Sequence, residues 1–185
     1  MLINIDIDNT VNDFIDKFLV LYNSISNKNI KKKDVLNYDL TSLGTDRPTL
    51  EALFFKNSAF HEQLEPVDGA VDVIKMLHDF GHKIKFVTSI NYGVVQPRVN
   101  FVKHYFPFID EDESLLVTSG KRWIWSDIVI DDHIDNLKNV NPDCRFIVYS
   151  QPWNTNITIA DESTKDFRAN NWYEILDWCV HNKLI

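Results

Sequence analysis

The stretch that decides the fold is LINIDIDNT, residues 2–10, in which an apolar run ends in two carboxylates and a polar turn. We predict a buried strand over Leu2–Ile7. Because residues two apart on a strand point to the same side, Asp6 and Asp8 are expected to project together from its end. Paired acids in a buried place cost free energy unless a cation or a reaction uses them. Asp and Asn are also common where a strand meets a turn, so this stretch alone leaves a structural interpretation open.

Three further apolar segments predict strands, at Ile84–Thr88, Ile128–Ile130 and Phe146–Tyr149. Continuous apolar runs of this kind suit a parallel sheet that is buried on both faces. Helical patterns over Gly69–Phe80 and Val94–Tyr105 alternate with these strands. The alternation predicts an α/β fold with right-handed crossovers.

The chain between the first two predicted strands is much longer than one crossover helix requires. It has helical patterns at Asp13–Ser24 and Thr49–Lys56. A structureless loop of this length would be unusual in a compact domain. We therefore predict a small helical cap, residues 14–64, inserted after the first strand into a catalytic core of residues 1–13 and 65–185. This position places the cap over the crevice where open α/β sheets bind ligands.

Further polar residues follow the second and third predicted strands. Thr88 and Ser89 end the second strand, Asp131 and Asp132 end the third, and Lys121 lies ten positions before Asp131. Two acid clusters at one sheet edge would repel each other, and this favours a hard cation with oxygen ligands, Mg²⁺. The hydroxyls can donate to a phosphoryl oxygen or can cap the following helix. A lysine in a loop is almost uninformative by itself.

The order of acid pair, hydroxyl, lysine and second acid pair resembles the four motifs of the haloacid dehalogenase-like superfamily. The resemblance implies a Rossmann-like parallel sheet core with helices on both faces. The segments DIDNTVNDF, HEQLEPVDGAVDVI, KFVTS and KRWIWSDIVIDD are similar, more specifically, to the 5'(3')-deoxyribonucleotidase family, cytosolic type C. The residues that match the superfamily motifs are Asp6, Asp8, Thr10, Thr88, Lys121, Asp131 and Asp132.

The resemblance implies a mechanism and a role for each matched residue. Asp6 is the expected nucleophile, which forms an aspartyl-phosphate, and Asp8 is the expected general acid and base. Mg²⁺ is expected on the Asp6 carboxylate, the Asp8 backbone carbonyl and Asp131. The implied phosphate ligands are Thr88, Ser89 and Lys121, and the implied supporting residues are Thr10 and Asp132.

Substrate choice is expected to depend on the predicted cap. Phe14, Tyr38, Phe54 and Phe55 are candidates to pack against a base or sugar, although aromatic residues of small helical subdomains are often ordinary core. Phe14 also has a counterpart in the resembled family, and its apolar ring favours a deoxyribose over a ribose. Animal members carry an arginine two positions before the motif lysine. Here that position is Ser119, which leaves base preference and phosphate contacts open.

The composition limits the partners of the protein. A formal net charge of -8 disfavours binding to a nucleic acid polymer. Two cysteines indicate a reducing compartment, and no apolar run approaches the length of a membrane span. We therefore expect a cytoplasmic monomer or homodimer that acts on a small-molecule nucleotide, away from membranes.

Two alternatives remain beside a deoxyribonucleotidase. One is a phosphatase of the same superfamily that hydrolyses another small phosphate ester, such as a sugar phosphate. The other is a receiver-type signalling module that is phosphorylated on an aspartate. Receivers place their acid pair early, whereas here an acid pair comes last and Asp8 supplies the acid that turnover requires. The order of the motifs favours the enzyme.

Overall fold

A computed structural model describes residues 1–110, 114–156 and 166–185. The described residues contain a six-stranded parallel sheet with the strand order β3-β2-β1-β4-β5-β6. The predicted α/β class is confirmed. The strands are β1 Leu2–Ile5, β2 Lys83–Thr88, β3 Leu115–Val117, β4 Ile128–Asp131, β5 Arg145–Tyr149 and β6 Phe167–Ala169.

The four predicted strands are present, with one boundary to correct. β1 ends at Ile5 and not at Ile7, because the Asp6 amide still donates to the Ile130 carbonyl at 2.9 Å but the chain then turns. The amides of Val11 and Asn12 both donate back to the Ile7 carbonyl at 2.9 Å, which closes that turn. The sequence did not indicate β3 or β6, since each is an edge strand of three residues and too short to show a period.

The helices agree with the sequence patterns except in the insertion. A single helix was expected over Thr49–Lys56, but a short helix α2, Arg47–Leu50, is followed directly by a π-helical turn over Glu51–Phe55. The side chain of Asp46 caps the start of α2 by accepting a hydrogen bond from the Thr49 amide. The helices are α1 Phe14–Ser26, α2 Arg47–Leu50, α3 Ser58–His61, α4 Ala70–Asp79, α5 Val95–Tyr105 and α6 Trp172–His181.

Two apolar clusters account for most of the buried core. The larger one lies under the sheet, where α4 and α6 pack against each other over residues such as Ile5, Ile130 and Trp172. The opposite face is covered near β4 and β5 by a short 3₁₀ helix, Ile134–Leu137, which packs on Val129.

The second apolar cluster lies in the insertion between β1 and α4. Its centre is formed by Phe18, Tyr22, Leu50 and Phe54, all of which are buried. The insertion therefore has a small apolar core of its own. Among the described residues, no helix is both long enough and apolar enough to span a membrane.

Candidate active site

The two predicted acid clusters meet at the carboxyl edge of the sheet. β1 and β4 are paired neighbours, and the Asp6 amide bonds to the Ile130 carbonyl, so Asp6 lies beside Asp131. The carboxylates of Asp6, Asp131 and Asp132 each place an oxygen within 4.8 Å of the others, and all three residues are buried. The fold thus collects three acids from two chain segments into one cluster, which we call the acid cluster.

Lys121 is the cation that contacts the acid cluster. Its Nζ donates to Asp6 Oδ1 at 2.5 Å and to Asp131 Oδ2 at 2.9 Å. The lysine is only 9% exposed, and its position is set by a 3₁₀ turn over Lys121–Trp123. Burial lowers the pKa of Lys121, but Asp131 and Asp6 outweigh that effect and raise it, so the side chain stays charged.

When its three acids are ionised, the acid cluster carries more negative charge than Lys121 can balance. Burial raises the pKa of Asp6 to about 7, with Asp131 and Asp8 adding to the rise and Lys121 opposing it. Burial, Asp6 and Asp131 likewise raise the pKa of Asp132. Three carboxylates and one ammonium give a formal charge of -2 when all are ionised. A buried set of hard oxygen donors with this charge fits a divalent cation such as Mg²⁺.

Asp8 does not point into the acid cluster. Its Oδ1 accepts hydrogen bonds from Arg98 Nη2 at 2.6 Å and from Asn12 Nδ2 at 2.8 Å. Burial raises the pKa of Asp8, but the charge of Arg98 and the hydrogen bond from Asn12 outweigh burial, so the pKa is lowered. Asp8 is therefore ionised in this arrangement. The metal ligand predicted for Asp8 is its backbone carbonyl, and that role stays a prediction.

Arg98 was not among the predicted site residues. It lies on α5, is 2% exposed and also approaches His61 Nδ1 at 3.4 Å. Because arginine only donates, the Nδ1 of His61 must be an acceptor. A signal was present in the sequence, since Arg98 is three and four positions before Phe101 and Val102, on the buried face of α5.

Asparagines fix the turn that carries the first acid pair. Asn9 adopts a positive φ of 63°, which asparagine tolerates better than most residues, and its Oδ1 accepts from the Ile15 amide at 2.8 Å. Asn12 Oδ1 accepts from the amides of Asn9 and Phe14. These bonds tie the start of α1 to the turn. Thr10, predicted to support the site, is buried, and its Oγ1 has no hydrogen-bond partner in the described part of the chain.

A cavity of about 500 Å³ lies between the insertion and the end of the sheet. Three of the four predicted aromatic residues line it. Phe54 does not, because it is fully buried in the insertion. The prediction that Phe54 contacts the substrate was therefore wrong. Asp6, Lys121 and Asp131 line a separate void of about 10 Å³. The lining of the large cavity includes Asp8, Phe14, Tyr38, Phe55, Ser89, Arg47, Glu51, Lys56, His61 and Trp153.

The two predicted hydroxyl residues differ in accessibility. Ser89 is exposed and lines the large cavity. Thr88 is 1% exposed at the end of β2, and its carbonyl accepts a hydrogen bond from the Thr118 amide at 2.9 Å. Of the pair, only Ser89 therefore lines the large cavity.

A family model described as 5' nucleotidase, deoxy (pyrimidine), cytosolic type C protein matches residues 1–185, the whole chain. The chain belongs to this family. The predicted resemblance is thereby confirmed. The protein is a phosphomonoester hydrolase of the nucleotidase type, and its family excludes the receiver-type alternative.

A curated relative agrees with this family, and solved structures share the fold. The 5'(3')-deoxyribonucleotidase of Bacillus subtilis (strain 168) is 25% identical over 178 residues, which cover 94% of this chain and 95% of the relative. A haloacid dehalogenase family hydrolase from Deinococcus radiodurans R1, solved with bound phosphate and sodium, has a TM-score of 0.65 at 10% identity. That match covers 100% of this chain and 96% of the other. The hydrolase YfnB from Bacillus subtilis, solved with magnesium, has a TM-score of 0.57 at 15% identity, with coverage of 95% and 96%. Both structures support the fold.

Proposed function

We propose that this nucleotidase is a Mg²⁺-dependent hydrolase of deoxyribonucleoside monophosphates that works through an aspartyl-phosphate on Asp6. The observation that carries the proposal is the under-compensated acid cluster beside an aromatic-lined cavity of about 500 Å³. A cavity of this size accommodates a small ligand such as a nucleotide. The products would be a nucleoside and inorganic phosphate.

Asp6 is the proposed nucleophile. Its carboxylate oxygen attacks phosphorus and displaces the nucleoside alkoxide, and water then cleaves the acyl phosphate to release phosphate and regenerate the carboxylate. Lys121 holds Asp6 Oδ1 at 2.5 Å, which orients the carboxylate and places a fixed positive charge where phosphoryl oxygens would gather. Ser89 and Thr88 are the other proposed phosphate ligands.

Asp8 is the proposed general acid and base. It would protonate the leaving alkoxide in the first half-reaction and take a proton from the attacking water in the second. With Arg98 at 2.6 Å, Asp8 is held in the ionised form that the second half requires. A phosphate dianion nearby would raise the pKa of Asp8, which favours the protonated form that the first half requires.

The residues proposed to hold Mg²⁺ are Asp6, Asp131 and the Asp8 backbone carbonyl, with Asp132 as support. Asp132 belongs to the same cluster as the two carboxylate ligands, so its place beside the cation is favoured by geometry. When bound, the cation would offset the repulsion between an anionic nucleophile and an anionic substrate.

Residues 14–64 are the proposed cap, and they would select the substrate. Phe14 and Phe55 present nearly parallel rings, with centroids 5.9 Å apart and an interplanar angle of 6°, at the wall of the cavity. Tyr38 lines the same cavity. Flat apolar walls favour a base and a deoxyribose, whereas a 2'-hydroxyl against Phe14 would lose hydration without gaining a partner.

The decisive test is a set of initial rates on all common ribo- and deoxyribonucleoside monophosphates and on several sugar phosphates, with Mg²⁺ and with excess chelator. We expect the highest kcat/KM on a deoxyribonucleotide and no turnover in chelator. A sugar phosphate as the best substrate would replace the nucleotide proposal with the second candidate. Full activity in chelator would remove the cation from the mechanism.

A further inference from the structure

Trp153 contacts both the insertion and the acid cluster. Its ring packs against the apolar cluster of the insertion, and its Nε1 donates to Asp132 Oδ2 at 3.0 Å. In sequence it follows β5 and is therefore not part of the insertion. One side chain thus connects the packing of the insertion to the orientation of a carboxylate in the acid cluster.

The segment that carries Trp153 is held firmly. Asn154 Nδ2 donates to the Asp132 carbonyl at 2.7 Å and to the Tyr149 carbonyl at 2.9 Å. Gln151 Nε2 donates to the Asn9 carbonyl at 2.6 Å, in the turn after β1. Because Gln151 and Asn154 are both buried, the indole donor sits on a well-defined support.

Tyr38, from the insertion, rests on the residues that orient two carboxylates of the cluster. Its ring centroid lies 4.2 Å from that of His133 and 6.2 Å from that of Trp153, with edge-on geometry in both pairs. The His133 amide donates to Asp131 Oδ1 at 2.8 Å, just as Trp153 donates to Asp132. Tyr38 therefore packs on the indole whose Nε1 donates to Asp132, and on the imidazole of the residue whose main-chain amide donates to Asp131.

The acid cluster also affects the ionisation of Tyr38. Tyr38 is 53% exposed, so its ring edge reaches solvent. Even so, burial raises the pKa of its hydroxyl, and the charges of Asp132 and Asp6 raise it further.

We propose that Tyr38 and Trp153 are positioning residues that couple Mg²⁺ binding at the acid cluster to packing of the insertion against Trp153 and His133, which we call seating of the insertion. The inference rests on the proposed function, since it takes the acid cluster as the cation site. Seating of the insertion fixes Trp153, and Trp153 fixes Asp132 in the orientation that a cation requires. Coupling of this kind is reciprocal, so a bound cation must stabilise the seated insertion to the same extent.

The magnitude follows from the nature of the contact. Hydrogen bonds that orient metal-binding carboxylates typically contribute about 10- to 100-fold in metal affinity. Trp153→Phe keeps an aromatic ring against the insertion but removes the donor to Asp132. We therefore expect Mg²⁺ to bind this variant at least about tenfold more weakly. Tyr38→Ala keeps the Trp153 donor and removes the ring that packs on it, so we expect a smaller loss of Mg²⁺ affinity.

The test is the Mg²⁺ dissociation constant measured by titration calorimetry without substrate, for wild type, Trp153→Phe and Tyr38→Ala. Trp125→Phe is the matched control, since Trp125 is 52% exposed and lies in the loop before β4. It is expected to bind Mg²⁺ like wild type. Limited proteolysis of the insertion supplies the reciprocal readout, because Mg²⁺ should protect wild type strongly and Trp153→Phe weakly at equal Mg²⁺ concentration.

Each outcome bears on the inference. Wild-type affinity in Trp153→Phe would overturn it. Weaker binding in Trp153→Phe with unchanged binding and protection in Tyr38→Ala would overturn the link to the insertion. If Tyr38→Ala does not fold, Tyr38→Leu takes its place in the same two measurements. Absence of Mg²⁺ binding by wild type would refute the cation of the proposed function, whereas equal binding by all variants would refute the coupling alone.

Discussion

Asp6→Asn should abolish turnover and at the same time stabilise the cation-free protein. Loss of turnover follows because an amide cannot form the acyl phosphate. The gain in stability follows from the burial of Asp6, which is 8% exposed and is packed against Asp131. An Asn side chain has the shape of the carboxyl group but never carries the charge whose burial raises the Asp6 pKa to about 7.

The size of the effect follows from the shift of that pKa. The folded-state pKa of about 7 exceeds the ordinary aspartate pKa of 3.8. The folded protein therefore binds more protons between these pH values, and its stability falls as pH rises through this window. A shift of about three pH units at about 1.4 kcal/mol each gives a loss of about 4 kcal/mol, complete above pH ~7. At pH ~4.5 only about 1 kcal/mol of it has developed.

The assay is urea denaturation in chelator at pH ~4.5 and pH ~8 for wild type, Asp6→Asn and the control Asp177→Asn. The free energy of unfolding of Asp6→Asn should exceed that of wild type by about 1 kcal/mol at the lower pH and by about 4 kcal/mol at the higher pH. Asp177 is exposed on α6, so its variant should match wild type. Saturating Mg²⁺ should restore much of the free energy of unfolding that wild type loses at the higher pH.

Two results would refute this reasoning. If Asp6→Asn were less stable than wild type at pH ~8, the contacts of the ionised carboxylate with Lys121 would outweigh the cost of burying its charge. A stability difference that did not change with pH would exclude titration of Asp6 as its cause. For the mechanism, more than a trace of activity in folded Asp6→Asn would exclude the covalent intermediate.

Three further predictions concern single residues of the site. Asp131→Ala should raise the Mg²⁺ concentration needed for activity by at least about tenfold, or eliminate activity, and a Mg²⁺ titration of initial rates with the wild-type curve as control checks it. Arg98→Met should lower kcat/KM on alkyl phosphates by about 100-fold, because Asp8 loses its charged partner, with a smaller loss on aryl phosphates whose leaving group needs no acid. Equal losses on both substrate types, or no recovery in Arg98→Lys, would contradict that role. Phe14→Leu should reduce the dUMP-to-UMP ratio of kcat/KM, which we expect to be about 10- to 100-fold in wild type; an unchanged ratio would exclude Phe14 as its source.

The sequence predicted the acids of the site better than the residues that support them. Asp6 and Asp131 terminate apolar strands, and a parallel sheet brings such ends to one edge whatever the details of packing. Arg98 depends on a contact with Asp8 across 90 positions of the chain, and no local pattern encodes that distance. Trp153 contacts Asp132 from the segment after β5, where an apolar residue would ordinarily be interpreted as core.

The presence of the insertion could be predicted from the sequence, but its internal structure could not. Its length predicted a separate helical unit, since a structureless loop of that size is unusual. Its interior did not follow from helical periodicity, because the π-helical turn at Glu51–Phe55 shifts the faces of the residues within it. Phe54 is buried while its neighbour Phe55 lines the cavity, although the sequence offered both as substrate contacts.

The charges of the two acids of the first motif are compensated in opposite ways, and this difference fits the different roles proposed for them. Asp8 has a permanent partner in Arg98, so the protein alone satisfies its charge. Asp6 shares Lys121 with Asp131 and lies beside a third acid, so the protein alone leaves the cluster with excess negative charge. Asp8 is thus ionised without a bound cation, and the anionic substrate itself would favour the protonation that a general acid requires. A nucleophile that meets an anion benefits instead from a bound cation. The positions of Arg98 and Lys121 thus match the roles proposed for Asp8 and Asp6.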